Sequence, residues 1–169
     1  MSQIFRLDKS GYINRNKKIS FKFNKKKYFG YEGDTLASAL LANGIHLVGR
    51  SFKYHRPRGI IGAGVDEPNA QVQLYSGEKT EPNAVATTVE LVEGLIAESQ
   101  NCWPSVSFDF GAINNLLNKF FPAGFYYKTF MWPKSFWYRI YEPFIRKAAG
   151  FGVASTKHDQ ERYEHKYEY

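Results

Sequence analysis

Two neighbouring stretches with strand-like patterning constrain the fold of this chain more than any other feature. Residues 19–23 alternate apolar and polar side chains, which is the pattern of a strand buried on one face. The polar residues 24–26 are typical of a turn, and residues 27–31 have the composition of a second strand. The sequence therefore predicts a β-hairpin close to the N-terminus.

A short helix with start and stop signals is predicted directly after the hairpin. Residues 36–43 carry leucine and alanine at helical spacing, which would form one inward apolar face. Asp34 or Thr35 can cap the helix, because a side-chain oxygen there accepts a hydrogen bond from a backbone N–H of the first turn. Gly44 is suited to end the helix, since glycine adopts left-handed backbone angles at little cost.

Further strands are predicted after the helix. Residues 45–48 form a short apolar run that is either a strand or a buried connection, and residues 71–75 alternate again. Residues 84–92 contain good strand-forming residues and are expected to be the last strand. This order predicts an α+β fold of the β-grasp (ferredoxin/ubiquitin-like) type, with one helix across a mixed sheet, over residues 1–98.

From residue 99 the chain becomes rich in aromatic side chains and poor in regular patterning. Residues 111–120 have apolar side chains at helical spacing, and a second helix is predicted over 135–149 with a break at Pro143. Residues 99–154 are expected to form a mostly irregular, short-helical extension that wraps a neighbour, because they have too little regular structure for a core of their own. The charged residues 155–169 are expected to be a linker.

Seven aromatic residues of this extension are expected to lose solvent mainly against other parts of a larger assembly. They are Trp103, Phe125, Tyr126, Phe130, Trp132, Phe136 and Trp137. The isolated chain is therefore expected to expose a large apolar patch.

Composition limits the chemistry and the location. The single cysteine, Cys102, excludes an intrachain disulfide and a metal site made only of cysteine thiolates, and we expect it to be packed and inert. The N-terminus lacks the apolar run of a secretory signal, and no stretch reaches the ~18 apolar residues of a spanning helix. A cytoplasmic protein without membrane contact is expected. The net charge of +7 is concentrated in hairpin lysines, which we interpret as a solvated strand face.

The strongest local motif is the basic loop GRSFKYHRPRG at residues 49–59. The side chains that can carry positive charge are Arg50, Lys53, His55, Arg56 and Arg58. A solvated surface, a nucleic-acid patch and a docking loop for anionic groups are the three interpretations. The prolines and the lack of a recognised module argue against nucleic acid, whereas arginine suits semi-buried contacts with carboxylates or phosphates. We expect the loop to dock on a partner domain, through acidic groups, backbone carbonyls or a cofactor phosphate.

The basic loop resembles the signature loop at the start of the alpha subunit of heterotetrameric sarcosine oxidase. It is also similar to small [2Fe–2S] proteins of amino-acid dehydrogenase and cyanide-synthase complexes. The likeness to the sarcosine oxidase subunit continues through GDTLASALLANG at 33–44, EPNA at 67–70 and PAGFYYKTFMWP at 122–133. The aromatic part is specific to that subunit, because bare ferredoxin-like proteins lack it.

The resemblance implies degenerate cluster positions. A plant-type [2Fe–2S] site needs four thiolates, three of them in a C-x4-C-x2-C loop. The pattern of the ferredoxin-like relatives falls on Gly62, Glu67 and Ala70, with the fourth position near Thr87. None of these residues is cysteine, so a cluster-free domain is expected, as in the sarcosine oxidase alpha subunit.

The resemblance also implies a place in a larger enzyme. The chain is expected to be the non-catalytic N-terminal piece of a longer subunit, either truncated or encoded separately, followed by a dinucleotide-binding domain. The family enzyme oxidatively demethylates sarcosine with FAD, FMN, NAD and tetrahydrofolate, which other domains and subunits bind. Partners would be the remaining alpha-subunit domains and the other subunits, and no catalytic residue carries over. The alternatives are a free-standing electron-transfer subunit of a flavin-dependent amino-acid dehydrogenase complex, against which the missing cysteines argue, and a basic nucleic-acid-binding module.

Overall fold

The predicted hairpin is formed by strands β1 (Asn14–Phe23) and β2 (Lys26–Glu32) in the computed structural model. The structure describes residues 3–9, 11–76, 79–120, 132–149 and 152–156. The strands are antiparallel, and the two residues between them, Asn24 and Lys25, have φ angles of 48° and 67°. Positive φ at both positions suits a two-residue turn, because its twist then matches that of the strands. Alternate residues of β1 face the core, as the pattern predicts.

Helix α1 (Leu36–Ala42) follows with a capping box that the sequence left open between two candidates. The Ser38 backbone N–H donates to the Thr35 hydroxyl oxygen at 3.2 Å, and the Thr35 N–H donates to the Ser38 hydroxyl oxygen at 2.9 Å. Thr35 is therefore the N-cap. The helix ends at Ala42, and Gly44 has a φ of 78° beyond the Asn43 cap.

Asp34, the other cap candidate, is buried and binds the guanidinium of Arg6 instead of capping the helix. Its carboxylate accepts two hydrogen bonds from the Arg6 guanidinium, at 3.0 and 2.6 Å. It also accepts from the Tyr31 N–H at 2.9 Å and the Ser38 hydroxyl at 2.7 Å. These bonds fix the segment before β1 against the start of the helix, because a bidentate guanidinium–carboxylate pair holds both partners in one orientation.

The main sheet has five strands in the order β2-β1-β7-β5-β6. It includes β5 (Gln71–Ser76), β6 (Lys79–Val85) and β7 (Ile96–Ser99). β7 runs parallel to β1 and antiparallel to β5, so the sheet is mixed and the α+β class is confirmed. Helix α1 covers one face of the sheet, and its buried leucines join the core.

The strand predicted over residues 84–92 is wrong in position. β6 begins at Lys79 and ends at Val85, where the Thr88 N–H closes a turn on the Val85 carbonyl at 2.9 Å. Pro82 concealed the strand in the sequence, but β6 lies at the sheet edge, where a residue without an N–H is tolerated. The true last strand, β7, is too short to show an alternating pattern.

A second, two-stranded sheet joins β3 (Leu47–Arg50) to β4 (Pro57–Gly59). The basic loop is the connection between these two strands. The predicted apolar run at 45–48 therefore includes the start of β3. At the end of β3, the Arg50 N–H donates to the carbonyl of Gln100, the residue directly after β7, at 3.2 Å.

The extension contains short helical turns. Its first part has a 3₁₀ turn (Phe110–Ala112), α2 (Ile113–Leu116) and a second 3₁₀ turn (Asn118–Phe120), so the helix expected over 111–120 is divided. Its second part has a 3₁₀ turn (Lys134–Phe136), a π-helical turn (Trp137–Tyr141) and α3 (Glu142–Ala149). Pro143 lies in the first turn of α3, where its missing N–H costs nothing. Residues 121–131 and 157–169, including most of the aromatic run and the linker, lie outside the described residues.

In the described part of the chain, no helix has both the length and the apolar character that crossing a membrane requires.

The core predicts a strong stability effect at Leu40, whose side chain is fully buried in α1. Leu40→Ala should lower the free energy of unfolding by about 2–5 kcal/mol, because it removes buried methyl groups and leaves a cavity. Leu7→Ala is the matched control, since Leu7 is 71% exposed. Urea denaturation would check both, and equal effects of the two substitutions would contradict the described core.

Candidate functional site

The loop before β5 holds the carboxylate of Glu67 in a cradle of backbone N–H groups. Glu67 is only 4% exposed. One carboxylate oxygen accepts from the N–H of Ile61 at 2.7 Å and from that of Gly62. The other accepts from Asn69 at 2.7 Å and from Ala70 at 3.2 Å. Four converging amides form a concave anion site, and the protein's own side chain occupies it.

The four degenerate cluster positions lie around this cradle. A Cβ at Gly62 would lie 3.3 Å from the Glu67 Cα, and Ala70 is fully buried beside it. Thr87 reaches the same loop, because its hydroxyl donates to the Gly64 carbonyl at 2.7 Å. The structure thus brings together the positions that the sequence aligned with cluster ligands.

The residues at these positions do not fit a [2Fe–2S] cluster. Such a cluster needs thiolate ligands, whereas the side chains here are a hydrogen, a carboxylate, a methyl and a hydroxyl. The Glu67 carboxylate also takes up the loop amides. Cys102 is half-buried after β7, where its sulfur lies 3.4 Å from the Ser99 hydroxyl and burial raises the pKa of its thiol. Among the described residues, no group of three His, Cys, Asp or Glu side chains is arranged to hold a metal ion.

The cradle lowers the pKa of Glu67. Burial is the largest single influence and raises the pKa, but the amides of Gly62, Asn69, Ile61 and Ala70 together outweigh it. Hydrogen bonds to the charged form favour ionisation, so Glu67 is an anion at neutral pH.

The second candidate feature is the basic loop, which closes on itself as a tight turn. The Ser51 N–H donates to the Arg56 carbonyl at 2.9 Å, and the His55 N–H donates to the Ser51 carbonyl at 2.9 Å. The Arg56 N–H adds a bond to the Ser51 hydroxyl at 3.0 Å. His55 has a φ of 51°, a left-handed conformation that few residues other than glycine adopt, although histidine adopts it more often than most.

A buried pair between His55 and Asp109 anchors the turn to the extension. The His55 Nδ1 and Asp109 Oδ2 atoms are 2.7 Å apart, and the Asp109 side chain is fully buried. The other Asp109 oxygen accepts from the N–H groups of Trp103 and Gly111, at 3.0 and 3.1 Å. The imidazole packs on Gly111, where a Cβ would lie 2.2 Å from the ring, so glycine is required there.

Arg50 adds a second anchor. Its guanidinium donates to the backbone carbonyls of Val106 at 2.9 Å, His55 at 3.0 Å and Ser107 at 3.4 Å. The Arg50 carbonyl accepts from the Asn101 amide at 3.0 Å. Arg50 therefore binds backbone carbonyls of its own chain, whereas the loop was expected to contact groups of a partner domain.

The remaining cations of the loop line a cavity of about 420 Å³. Arg56 donates to the Asn115 side-chain oxygen at 3.0 Å, and Arg58 donates to that of Asn69 at 2.7 Å. The Lys53 ammonium and the Arg56 guanidinium each lie 4.9 Å from the centre of the Tyr54 ring. The five predicted site residues thus divide into two that hold the loop and three that it presents, and the partner-docking role remains a prediction.

The extension exposes many apolar side chains. Trp103, Phe108, Phe110, Ile113, Leu116, Phe120, Trp132, Tyr138, Ile140 and Phe144 are all at least half exposed. We call these residues the apolar face. Of the seven aromatic residues predicted to be covered in an assembly, Phe125, Tyr126 and Phe130 lie outside the described residues, and Trp137 is half-buried. Within the set, the rings of Trp103 and Phe110 lie 5.3 Å apart and those of Phe108 and Phe110 lie 5.1 Å apart, and a contiguous exposed apolar patch is typical of an interaction surface.

Sequence reasoning missed Asp109 and the cradle. Asp109 lies 54 residues from His55 and has no local motif that indicates a buried partner. Glu67 was identified only as a lost ligand, although a carboxylate followed by Pro68 and Asn69 can bind the amides of its own turn.

The cradle predicts a pH-dependent contribution to stability. Glu67→Gln should lower the free energy of unfolding by about 1.5–3 kcal/mol, because it removes the charge and turns an N–H donor toward backbone donors. Since the folded pKa is lowered, the unfolded chain binds the proton more readily. The contribution is therefore present above the ordinary pKa of about 4.5 and lost as the pH falls below it.

Urea denaturation at pH 7 and pH 3 would measure this effect, with Glu81→Gln on the exposed side of β6 as control. A Glu67→Gln effect of the same size at both pH values would show that the carboxylate charge is not what the cradle binds.

Comparison with known proteins agrees with this geometry. The family described as "2Fe-2S iron-sulfur cluster binding domain" matches residues 16–102, just over half of the chain. The sarcosine oxidase subunit alpha of Rhizobium meliloti (strain 1021) is 60% identical over 95% of this chain. The corresponding protein of Corynebacterium sp. (strain U-96) is 40% identical over 50% of the chain. This chain spans only 16% and 9% of the lengths of those two relatives.

Among solved structures, L-proline dehydrogenase from P. horikoshii is similar over 52% of this chain and 16% of its own chain, with 27% identity and a TM-score of 0.40. The family match covers the hairpin, α1, the basic loop, the cradle and all five strands of the main sheet. The chain therefore belongs to the 2Fe-2S iron-sulfur cluster binding domain family, although its sequence contains a single cysteine, Cys102.

Proposed function

We propose that the chain is the N-terminal, non-catalytic part of the alpha subunit of a sarcosine oxidase, and that its role is structural. The observation that carries this proposal is the 60% identity to such a subunit over 95% of the chain, which includes the aromatic extension. The complete enzyme would oxidatively demethylate sarcosine (N-methylglycine) in the cytoplasm. FAD, FMN, NAD and tetrahydrofolate would be bound by its other domains and subunits.

The cradle supports a structural role rather than electron transfer. A loop that relatives use to surround a cluster here surrounds the Glu67 carboxylate, which cannot change its oxidation state. The loop thereby keeps its fold and its position against β5 without iron. An electron path through this domain would need a redox centre that its four ligand positions do not supply.

The apolar face supports a role in assembly. The start of the extension is held to the β-grasp domain through Asp109 and the Val106 carbonyl bound by Arg50, which fixes the backbone beside the exposed Phe108 and Phe110. Burying the apolar face against a partner would release water from a large apolar area, which is the main driving force of stable association. The remaining alpha-subunit domains and the other subunits are the proposed partners.

A second candidate is a small subunit of a flavin-dependent amino-acid dehydrogenase complex. The family match favours it, because that family is described by cluster binding. The two candidates differ in iron content, and an absorption spectrum separates them.

The structural proposal predicts a flavin-containing but iron-free complex. When the native protein is affinity-purified anaerobically from its own host, flavin-bearing partners should co-purify and sarcosine should be oxidised. Iron and acid-labile sulfide should stay well below two atoms of each per chain. Two irons per chain would support the dehydrogenase candidate instead, and purification without flavin partners would contradict both.

The apolar face predicts an assembly defect. Leu116→Asp combined with Phe120→Asp should reduce the yield of complex at least about tenfold, because burying two unpaired carboxylates is strongly unfavourable. Both residues are exposed in the chain, at 81% and 73%, so its own thermal unfolding should change little. Tyr12→Asp, at a fully exposed position before β1, is the control. Normal assembly and sarcosine oxidation by the double variant would refute the proposed interface.

A further inference from the structure

We propose that the basic loop is a preformed binding pocket for a phosphate-type oxyanion, with room for a diphosphate group. The proposal concerns this chain's own residues and holds whether or not the complete protein oxidises sarcosine. Arg56 and Arg58 are the residues that would bind the anion, and Lys53 adds charge beside them.

Three cations of the loop lie close together at the pocket. The Lys53 ammonium and the Arg56 guanidinium lie at most about 10 Å apart, because each is 4.9 Å from the same Tyr54 ring centre. Like charges within that distance repel one another, and salt screens the repulsion only in part. Over the residues that the structure describes, neither Arg56 nor Arg58 forms an ion pair, and the pocket is lined by no aspartate or glutamate. A bound anion would remove this repulsion.

The guanidinium groups retain donors for a ligand. Each arginine uses one nitrogen on a neutral asparagine oxygen, from Asn115 for Arg56 and from Asn69 for Arg58. These bonds orient the two groups without neutralising them. Planar guanidinium groups with free N–H pairs match the oxygen spacing of phosphate and bind it bidentately.

Hydrogen bonds within the chain hold the loop in its conformation without a ligand. The hydrogen bonds of Ser51 close the turn, and His55 is held in a left-handed conformation by its buried bond to Asp109. Such a conformation costs free energy and persists only where the surroundings enforce it. The consequence is that Lys53, Arg56 and Arg58 are presented in one arrangement, so little ordering entropy is lost on binding.

The shape of the site favours a small oxyanion over an acidic protein surface. The cations line a concavity of about 420 Å³, and neutral donors and acceptors of Ser51, Asn69, Gln71 and Asn101 complete its wall. A concave site with a few convergent polar groups is typical of small-molecule binding. Docked protein carboxylates would instead suit a flat or protruding cationic surface.

Titration of inorganic pyrophosphate into the natively purified protein, in phosphate-free buffer, tests the proposal by calorimetry. Saturable binding with one site per chain is expected. Arg56→Gln and Arg58→Gln should each weaken binding about tenfold, since each removes a charge-assisted hydrogen bond. Arg56→Lys should weaken it less, because the charge remains and the fork is lost. Arg139→Gln, an exposed arginine in the extension, should leave the affinity within about twofold if general attraction is weak.

A pocket already occupied in the native protein is covered by a second measurement. Phosphorus-31 spectra of the acid extract would count bound phosphate-bearing molecules per chain. The Arg56→Gln with Arg58→Gln variant should then lack one molecule that the parent and Arg139→Gln retain. If the natural ligand is the phosphate of a tightly bound cofactor, the cofactor appears in the spectrum of the extract. If the natural ligand is a free phosphate that exchanges during purification, binding is seen only in the titration.

Three results would overturn the proposal. One is the absence of both saturable pyrophosphate binding and variant-dependent phosphorus. Another is equal weakening by Arg139→Gln, which would indicate attraction to net charge alone. The third is malonate binding as tightly as pyrophosphate, which would indicate a carboxylate site and favour docking on an acidic protein surface. Unchanged thermal unfolding of the variants would confirm that they are folded.

Discussion

The buried contact between His55 and Asp109 is the interaction on which the candidate sites depend. It holds a strained turn closed from outside the turn, because the carboxylate that binds the imidazole belongs to the extension. Asp109 in turn orders its own segment by accepting two backbone N–H groups. One carboxylate thus positions both the basic loop and the start of the apolar face. Replacing it would leave a buried imidazole and two buried amides without a partner, which is why a polar contact can matter here as much as core packing.

The cradle shows how a domain can retain a cluster loop without a cluster. Backbone amides that converge on one point need hydrogen-bond acceptors there, since buried N–H groups without an acceptor are costly, and a negatively charged oxygen is the strongest such acceptor. Glu67 provides that charge from within the loop. The amides also lower the pKa of the Glu67 carboxyl, because their hydrogen bonds stabilise its ionised form. The loss of ligand residues and the retention of the fold are therefore compatible.

Local patterns in the sequence predicted the local structure well. The hairpin, α1 and β5 follow from alternation, capping residues and turn residues that act within a few positions. Several of the failures involve distant partners. Thr35 rather than Asp34 caps the helix, because the Asp34 carboxylate is bound to the guanidinium of Arg6, which lies 28 residues earlier in the chain. β6 tolerates Pro82 because it is an edge strand, which only the sheet order reveals. The basic loop was recognised as a motif, yet its division into anchoring and presented cations depends on carbonyls and on Asp109 more than 50 residues away.

The expected boundary at residue 98 marks a change in composition, whereas the polar contacts cross it repeatedly. Arg50 and His55 bind residues 106–109, and the buried amide of Gln73 in β5 pairs with both the N–H and the carbonyl of Val153, at 2.8 and 3.1 Å. The extension is thus hydrogen-bonded to the β-grasp domain near both of its ends while its apolar side chains remain exposed. The backbone at these anchor points is already fixed, so ordering it costs no further entropy when a partner covers the neighbouring side chains. The same contacts that tie the extension to the domain thus place its exposed apolar side chains where a further surface can cover them.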